Sequence, residues 1–140
     1  MMKVKAVCVM RTDLRNSDGH KVPKGKLIAQ GGHAFVGLIT KKFKLEPSDG
    51  ILYRASIEFV ENSAIDTWLY GKFTKVVLAV DSEEELLEIL QNAEFAGLNV
   101  VDIVDNGETE FGKPTFTCIG IGPDWEDKID AITGHLRGFS

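Results

Sequence analysis

Residues 76–104 read VVLAVDSEEELLEILQNAEFAGLNVVDIV, and the punctuation of that stretch decides the fold class. Val76 to Val80 is a short apolar run rich in β-branched residues, as a buried strand requires. Ser82-Glu83-Glu84-Glu85 has the form of a capping box, with acids in the first turn where the helix dipole favours them. Leu86, Leu87, Leu90 and Ala93 supply the buried stripe of the helix predicted there, and Gly97 suits a left-handed terminator after Ala96. Val100 to Val104 then resumes as a strand. Strand, capped helix and strand in so short a span belong to an α/β protein.

Working outward, Val4 to Met10 is another apolar strand, followed by a polar loop from Arg11 to Gly25 with turn signals at Ser17-Asp18-Gly19 and Pro23. From Lys26 to about Phe43, Leu27, Ala34, Phe35, Leu38 and Ile39 recur at helical spacing. Gly31-Gly32 inside that helix should cost about 1 kcal/mol each relative to Ala, so a packed strand or a ligand is expected to approach there closely. Residues 44–62, with Pro47 and Ser48-Asp49-Gly50, read as a long excursion carrying a short strand near Ile51–Arg54. Ser63 to Tyr70 reads as a short helix ended by Gly71.

Beyond the third strand, Asp105-Asn106-Gly107 signals a turn, and Thr115 to Ile121 a fourth strand closed by Pro123. Asp124 can cap a last helix in which Trp125, Ile129 and Ile132 share a face before Gly134. A helical crossover makes the first two strands parallel, while the last two form a hairpin or a wider arrangement. The expected architecture is a three-layer α/β/α fold with a mixed four-stranded sheet, in one domain spanning residues 1–140.

The overall charge of −5 argues against a polyanionic partner, but its distribution does not. Residues 1–44 hold ten Lys or Arg against Asp13 and Asp18, a local balance of +8. A one-sided basic region on an acidic chain can bind phosphate locally, or it can be an ordinary solvated surface. No run approaches the roughly 18 consecutive apolar residues of a membrane helix, and the N-terminus turns polar too soon for a signal peptide. The expected compartment is the cytoplasm, and Cys8 and Cys118, each within an apparent strand, read as free buried thiols.

Two groups of residues can carry chemistry. Lys26, Gln30 and His33 stand at i, i+4 and i+7, so one helix row presents an ammonium, an amide and an imidazole. That row begins at a helix N-terminus, where unpaired N–H groups attract anions, although three such residues also suit a solvated face. The second group is Asp105-Asn106-Gly107-Glu108-Thr109 at a strand exit, with Thr115 and Thr117 on the next strand; alone it fits a turn in which Asp and Asn bond their own backbone. Together the groups hold the parts of ester hydrolysis: a carboxylate to activate water, a cation for an oxyanion, and amide or hydroxyl groups for orientation. His20, His33 and His135 are dispersed and give no zinc spacing with the two cysteines; a nucleophile elbow and a P-loop are absent. Gly120-Ile121-Gly122-Pro123 reads as structural, and Trp68 and Trp125 as core or interface.

Arg11-Thr12-Asp13-Leu14, the run from Gly25 to Ala34, the run from Asp105 to Phe111, Ile119 to Pro123 and Ile132 to Leu136 resemble, in order and spacing, the type II peptidyl-tRNA hydrolases. The resemblance implies a peptidyl-tRNA hydrolase that needs no metal or other cofactor and cleaves the ester between a peptide, or an N-blocked aminoacyl group, and the 3′ end of tRNA. It implies Lys26, Gln30, His33, Asp105, Thr109 and Thr117 as site residues, RNA as the substrate's larger part, and a homodimer. Three departures stand out: Gly31-Gly32 replaces a small or Cys/Ser pair, Glu108 sits where relatives are often basic, and residues 41–66 form a longer, family-variable excursion. Lys41, Lys42 and Lys44 there could extend an RNA surface, or the excursion could alter dimerisation. The competing readings are a noncatalytic RNA- or tRNA-end-binding module of the same fold, and an interaction protein that uses the acidic C-terminal half.

Overall fold

The computed structural model describes residues 2–47 and 50–140. Strand β1 (Val4–Arg11) is apolar on both faces because it is covered on both. Its even residues Ala6, Cys8 and Met10 face Ala34 and Leu38 of helix α1 (Lys24–Thr40) and Trp68 of helix α2 (Ala64–Leu69). Its odd residues Val7 and Val9 pack with Leu86, Ile89 and Ala93 of helix α3 (Glu83–Phe95) and Ile129 of helix α4 (Glu126–Thr133). The α/β/α layering follows from that alternation.

The main sheet joins β1 to β4 (Lys75–Val80), β5 (Val100–Asp105) and β6 (Thr115–Trp125), in the order β4-β1-β6-β5. β4 lies parallel to β1, as a crossover demands, and β6 is antiparallel to both β1 and β5. The excursion contributes a separate two-stranded hairpin, β2 (Lys44–Pro47) with β3 (Tyr53–Ser56), so the single short strand expected near residues 51–54 is half of a pair shifted toward the C-terminus. Of its turn signal, Ser48 and Asp49 lie outside the described residues.

Several local expectations are corrected. Pro123 does not close β6, which runs on to Trp125. A register shift against β1 places Gly122-Pro123 at a bulge beyond the end of β5, where a missing N–H leaves no ladder bond unmade. Ser82 caps α3 by accepting the Glu85 N–H at 3.1 Å, but the Glu85 carboxylate returns to Asp81 rather than to Ser82. Leu87 is 45% exposed and Ile89, at 4%, takes its place in the stripe, because i, i+3, i+7 from Leu86 faces the sheet. Asp124 does not cap α4; its carboxylate takes the adjacent Trp125 N–H. Gly97, at φ +77°, ends α3 as expected. Trp68 is a core residue, tied to the Thr74 carbonyl through its indole N–H, while Trp125 is half-buried.

Of the two approaches expected at Gly31-Gly32, a packed strand or a ligand, the strand is not there. A Cβ at either glycine would meet nothing within 4 Å, whereas one at Gly120 would come within 2.9 Å of the Ala34 carbonyl oxygen and 3.1 Å of Leu38. It is the bare backbone of β6 that lets α1 seat on the sheet. Gly32→Ala is therefore expected to stabilise the protein, by up to about 1 kcal/mol in urea denaturation. A loss of stability would show that something does contact that face.

Both cysteines are free and fully buried on the α1 face. Its hydrogen bond with Cys118, together with burial, holds the Cys8 thiol well above the ordinary range. Among the described residues, no helix is long and apolar enough to cross a membrane.

Candidate active site

The N-terminal turn of α1 and the loop leaving β5 meet over the end of β6. Lys26 Nζ donates to Asp105 Oδ2 at 2.7 Å and to Thr109 Oγ1 at 2.9 Å. One turn further, Gln30 Nε2 donates to the same Asp105 oxygen at 3.0 Å. The other carboxylate oxygen, Oδ1, takes the Gly107 N–H at 2.8 Å. One oxygen of Asp105 thus closes a turn on its own backbone, and the other faces the helix. Gly107, at φ +85°, sits where any Cβ would strike the Lys113 backbone, so the turn requires glycine.

The Lys26 and Asp105 side chains are 17% and 9% exposed, so the pair is largely withdrawn from water. Burial pushes the Asp105 carboxyl upward, but the hydrogen bonds from Lys26, Gly107 and Gln30 and the Lys26 charge outweigh it and hold the group below the usual carboxylate range. The Lys26 ammonium also lies 5.7 Å from the centre of the Phe111 ring, itself buried.

Thr117 reaches the site through a bulge. The β5–β6 register slips between Ile103 and Val104, which leaves Thr117 as an extra residue and turns both it and Cys118 toward α1. Its hydroxyl donates to Gln30 Oε1 at 2.6 Å, while Cys118 Sγ lies 3.4 Å from the Gln30 carbonyl oxygen. The Gln30 amide, 1% exposed, is therefore clamped with its NH₂ toward Asp105. Thr117→Val would leave a buried acceptor unpaired and is expected to cost about 1–3 kcal/mol in thermal denaturation and loosen the site. An unchanged melting curve would show that Gln30 finds another donor.

The structure thus brings together Lys26, Gln30, Asp105, Thr109 and Thr117. His33 is exposed and hydrogen-bonds none of them; it lines a neighbouring cleft of about 440 Å³ with Gln30, Asp102, Val104 and Asp105. Thr115 stays out, its hydroxyl turned to the Lys113 carbonyl. One contributor went unread, the Phe111 ring, whereas the Asp-x-Gly turn signal pointed to the Gly107 N–H. A second, larger groove of about 650 Å³ shares Phe111 with the site, and its charged lining is Arg11, Asp13, Arg15, Glu83 and Lys113. Arg11 is neutralised by Asp13 at 2.8 Å, while among the described residues no ion pair involves Arg15 or Lys113.

Comparison with known proteins gives the family. The family model described as peptidyl-tRNA hydrolase PTH2 matches residues 4–139. The curated peptidyl-tRNA hydrolase of Methanocaldococcus jannaschii is 37% identical over 134 residues, covering 96% of this chain and 98% of its own. That of Methanothermobacter thermautotrophicus is 35% identical with the same coverage, and that of Nanoarchaeum equitans is 39% identical over 83% of this chain and 88% of its own. By a match that spans almost every residue and relatives alike over nearly their full length, the chain belongs to the peptidyl-tRNA hydrolase PTH2 family.

Proposed function

We propose that this chain, acting as one domain in the cytoplasm, hydrolyses the ester between a peptide or N-blocked aminoacyl group and the 3′ end of tRNA, freeing the tRNA. One observation carries the reading. An ammonium has three donors, and Lys26 spends two of them on Asp105 and Thr109. The third is left for a substrate oxygen. Thr109 accepts from Lys26 through its hydroxyl oxygen, so its own proton is also free to donate. Two donors from different elements, held over a buried carboxylate, suit the oxyanion of a tetrahedral intermediate.

In this mechanism water attacks the acyl carbon directly, with no covalent enzyme intermediate; the tetrahedral intermediate collapses by breaking the acyl C–O bond to the tRNA 3′ oxygen, and the proton released by the water reaches that leaving oxygen through solvent. Asp105 orients Lys26 and the water; a carboxyl held below its usual range is a weak proton acceptor at neutral pH, which favours orientation over general-base catalysis. Gln30 fixes the carboxylate and Thr117 fixes Gln30. His33, which lines the adjoining cleft with Gln30 and Asp105, is assigned to substrate contact. Arg15 and Lys113, in no ion pair among the described residues, offer the RNA phosphates a path to the site. The homodimer expected from the resemblance is checked by sedimentation equilibrium.

The decisive experiment is hydrolysis of N-acetyl-aminoacyl-tRNA by the purified protein, with and without EDTA. Turnover in both supports the reading. No turnover in either sinks it, and turnover lost only with EDTA sinks metal independence.

A further inference from the structure

The two edges of the main sheet are treated differently. The β4 edge is covered by the C-terminal segment: Ala79 N–H donates to the Arg137 carbonyl at 2.9 Å and Phe139 N–H to the Val77 carbonyl at 3.0 Å. Among the described residues the β5 edge has no such cover and β5 pairs only with β6. Uncovered edges invite a further strand, and proteins ordinarily blunt them. This one runs straight into Asp105, beside the cleft lined by Gln30 and His33.

Which backbone groups face outward follows from the ladder. Gly122 N–H donates to the Asn99 carbonyl at 2.8 Å, so Asn99 faces β6, and alternation turns Val101 and Ile103 the same way. Val100, Asp102 and Val104 then direct their N–H and C=O groups to the open side. Two contacts agree with this phase: the outward Val100 carbonyl is taken by Lys41 Nζ at 2.5 Å, and the inward Ile103 carbonyl lies 3.3 Å from the Thr117 hydroxyl. The extra residue at the bulge belongs to β6, so the alternation of β5 is unbroken as far as Val104. Lys41 closes the far end. What remains open is the main chain of Asp102 and Val104, leading to the site.

We infer that the open edge of β5 binds the peptide portion of the substrate as an added strand, held by main-chain hydrogen bonds to Asp102 and Val104. The inference rests on the hydrolase reading above. Its logic is chemical: an enzyme that must accept any peptide sequence needs to recognise what all peptides share, and strand addition reads backbone rather than side chains. The direction is determined as well. The acyl carbon must sit at Lys26 and Asp105, at the C-terminal end of β5, so the peptide runs parallel to β5 with its last residue opposite Asp105. In a parallel pairing that last residue donates its N–H to the Val104 carbonyl. The third residue from the ester, opposite Ile103, donates its N–H to the Asp102 carbonyl and accepts from the Val104 N–H. The second residue's N–H points away. The alternate side chains face either the Gln30–His33 cleft or open solvent.

The test varies the substrate and leaves the protein intact. With N-acetylated substrates of one to five residues on tRNA, kcat/KM is expected to rise roughly 10- to 100-fold from one residue to three, as two hydrogen bonds are added, and then to level off. N-methylation of the third residue from the ester should abolish most of that gain, whereas N-methylation of the second should leave it. A kcat/KM independent of length, or equal sensitivity to the two methyl groups, overturns the strand and leaves the hydrolase reading standing. No hydrolysis at any length removes both. If Val104→Arg changes the sedimenting mass while length has no effect, the edge belongs to a second copy of the chain and the inference fails.

Discussion

Lys26→Ala is expected to leave a folded protein whose turnover of N-acetyl-aminoacyl-tRNA is lower by about 10²–10³-fold, the usual cost of removing one oxyanion-stabilising donor. Three losses coincide in that variant. The spare N–H that faces substrate disappears, Thr109 loses the donor that orients its hydroxyl, and Asp105 keeps only Gln30 and Gly107 as partners. With the ammonium gone and burial still acting, the Asp105 carboxyl should move upward from its depressed value, which a carboxyl-detected NMR titration would register. Circular dichroism and a melting curve establish that the variant is folded. Wild-type turnover in a folded Lys26→Ala protein would remove Lys26 from the chemistry.

Asp105→Asn is expected to cost about 10²-fold or more in kcat, within the range for groups that manage a proton or hold the water. Asparagine matches the shape but has a single acceptor oxygen. If that oxygen keeps the Gly107 N–H, the amide NH₂ confronts the donors of Lys26 and Gln30; if it turns to them, the turn opens. The pH behaviour follows from the sign of the shift. A carboxyl whose folded value lies below its unfolded one, about 3.9, is ionised throughout the neutral range. The stability it contributes is present above that unfolded value and is lost only as pH falls through the folded one. Between pH 5 and 8 the wild-type rate should therefore show no acid limb due to Asp105, and the variant should be reduced by a similar factor at each pH. Unchanged hydrolysis at every pH would end any role for this carboxylate, and an acid limb near pH 6 that vanishes in the variant would make it the base after all.

How much of this was legible beforehand depended on the range of the interaction. Lys26 and Gln30 could be paired from their spacing, since i and i+4 share a helix face wherever the helix lies. His33 continues that row but stands about 10 Å along the axis from Lys26, and among the described residues the loop leaving β5 hydrogen-bonds only the first two members. Asp105 and Thr109 were readable from a strand exit followed by an Asp-x-Gly turn. The inward turn of Thr117 was not, because strand alternation alone would send adjacent Thr117 and Cys118 to different faces. Only a register slip against β5 puts both against α1. The glycines divide in the same way: Gly97 and Gly107 announce local turns, whereas the reason for Gly120 lies in the Ala34 carbonyl of a helix far away in the chain.

What the sequence determined by itself was local: apolar periodicity, capping and turn chemistry set the strand and helix order, and through it the layered α/β architecture. Only the tertiary structure decided the sheet order, the bulges at Thr117 and Pro123, the meeting of Lys26 with Asp105, and which edge stays open. The physical reason is that propensity and periodicity act over a few residues. Register and edge cover are settled by contacts between segments many tens of residues apart, as in the 79-residue separation of the central ion pair.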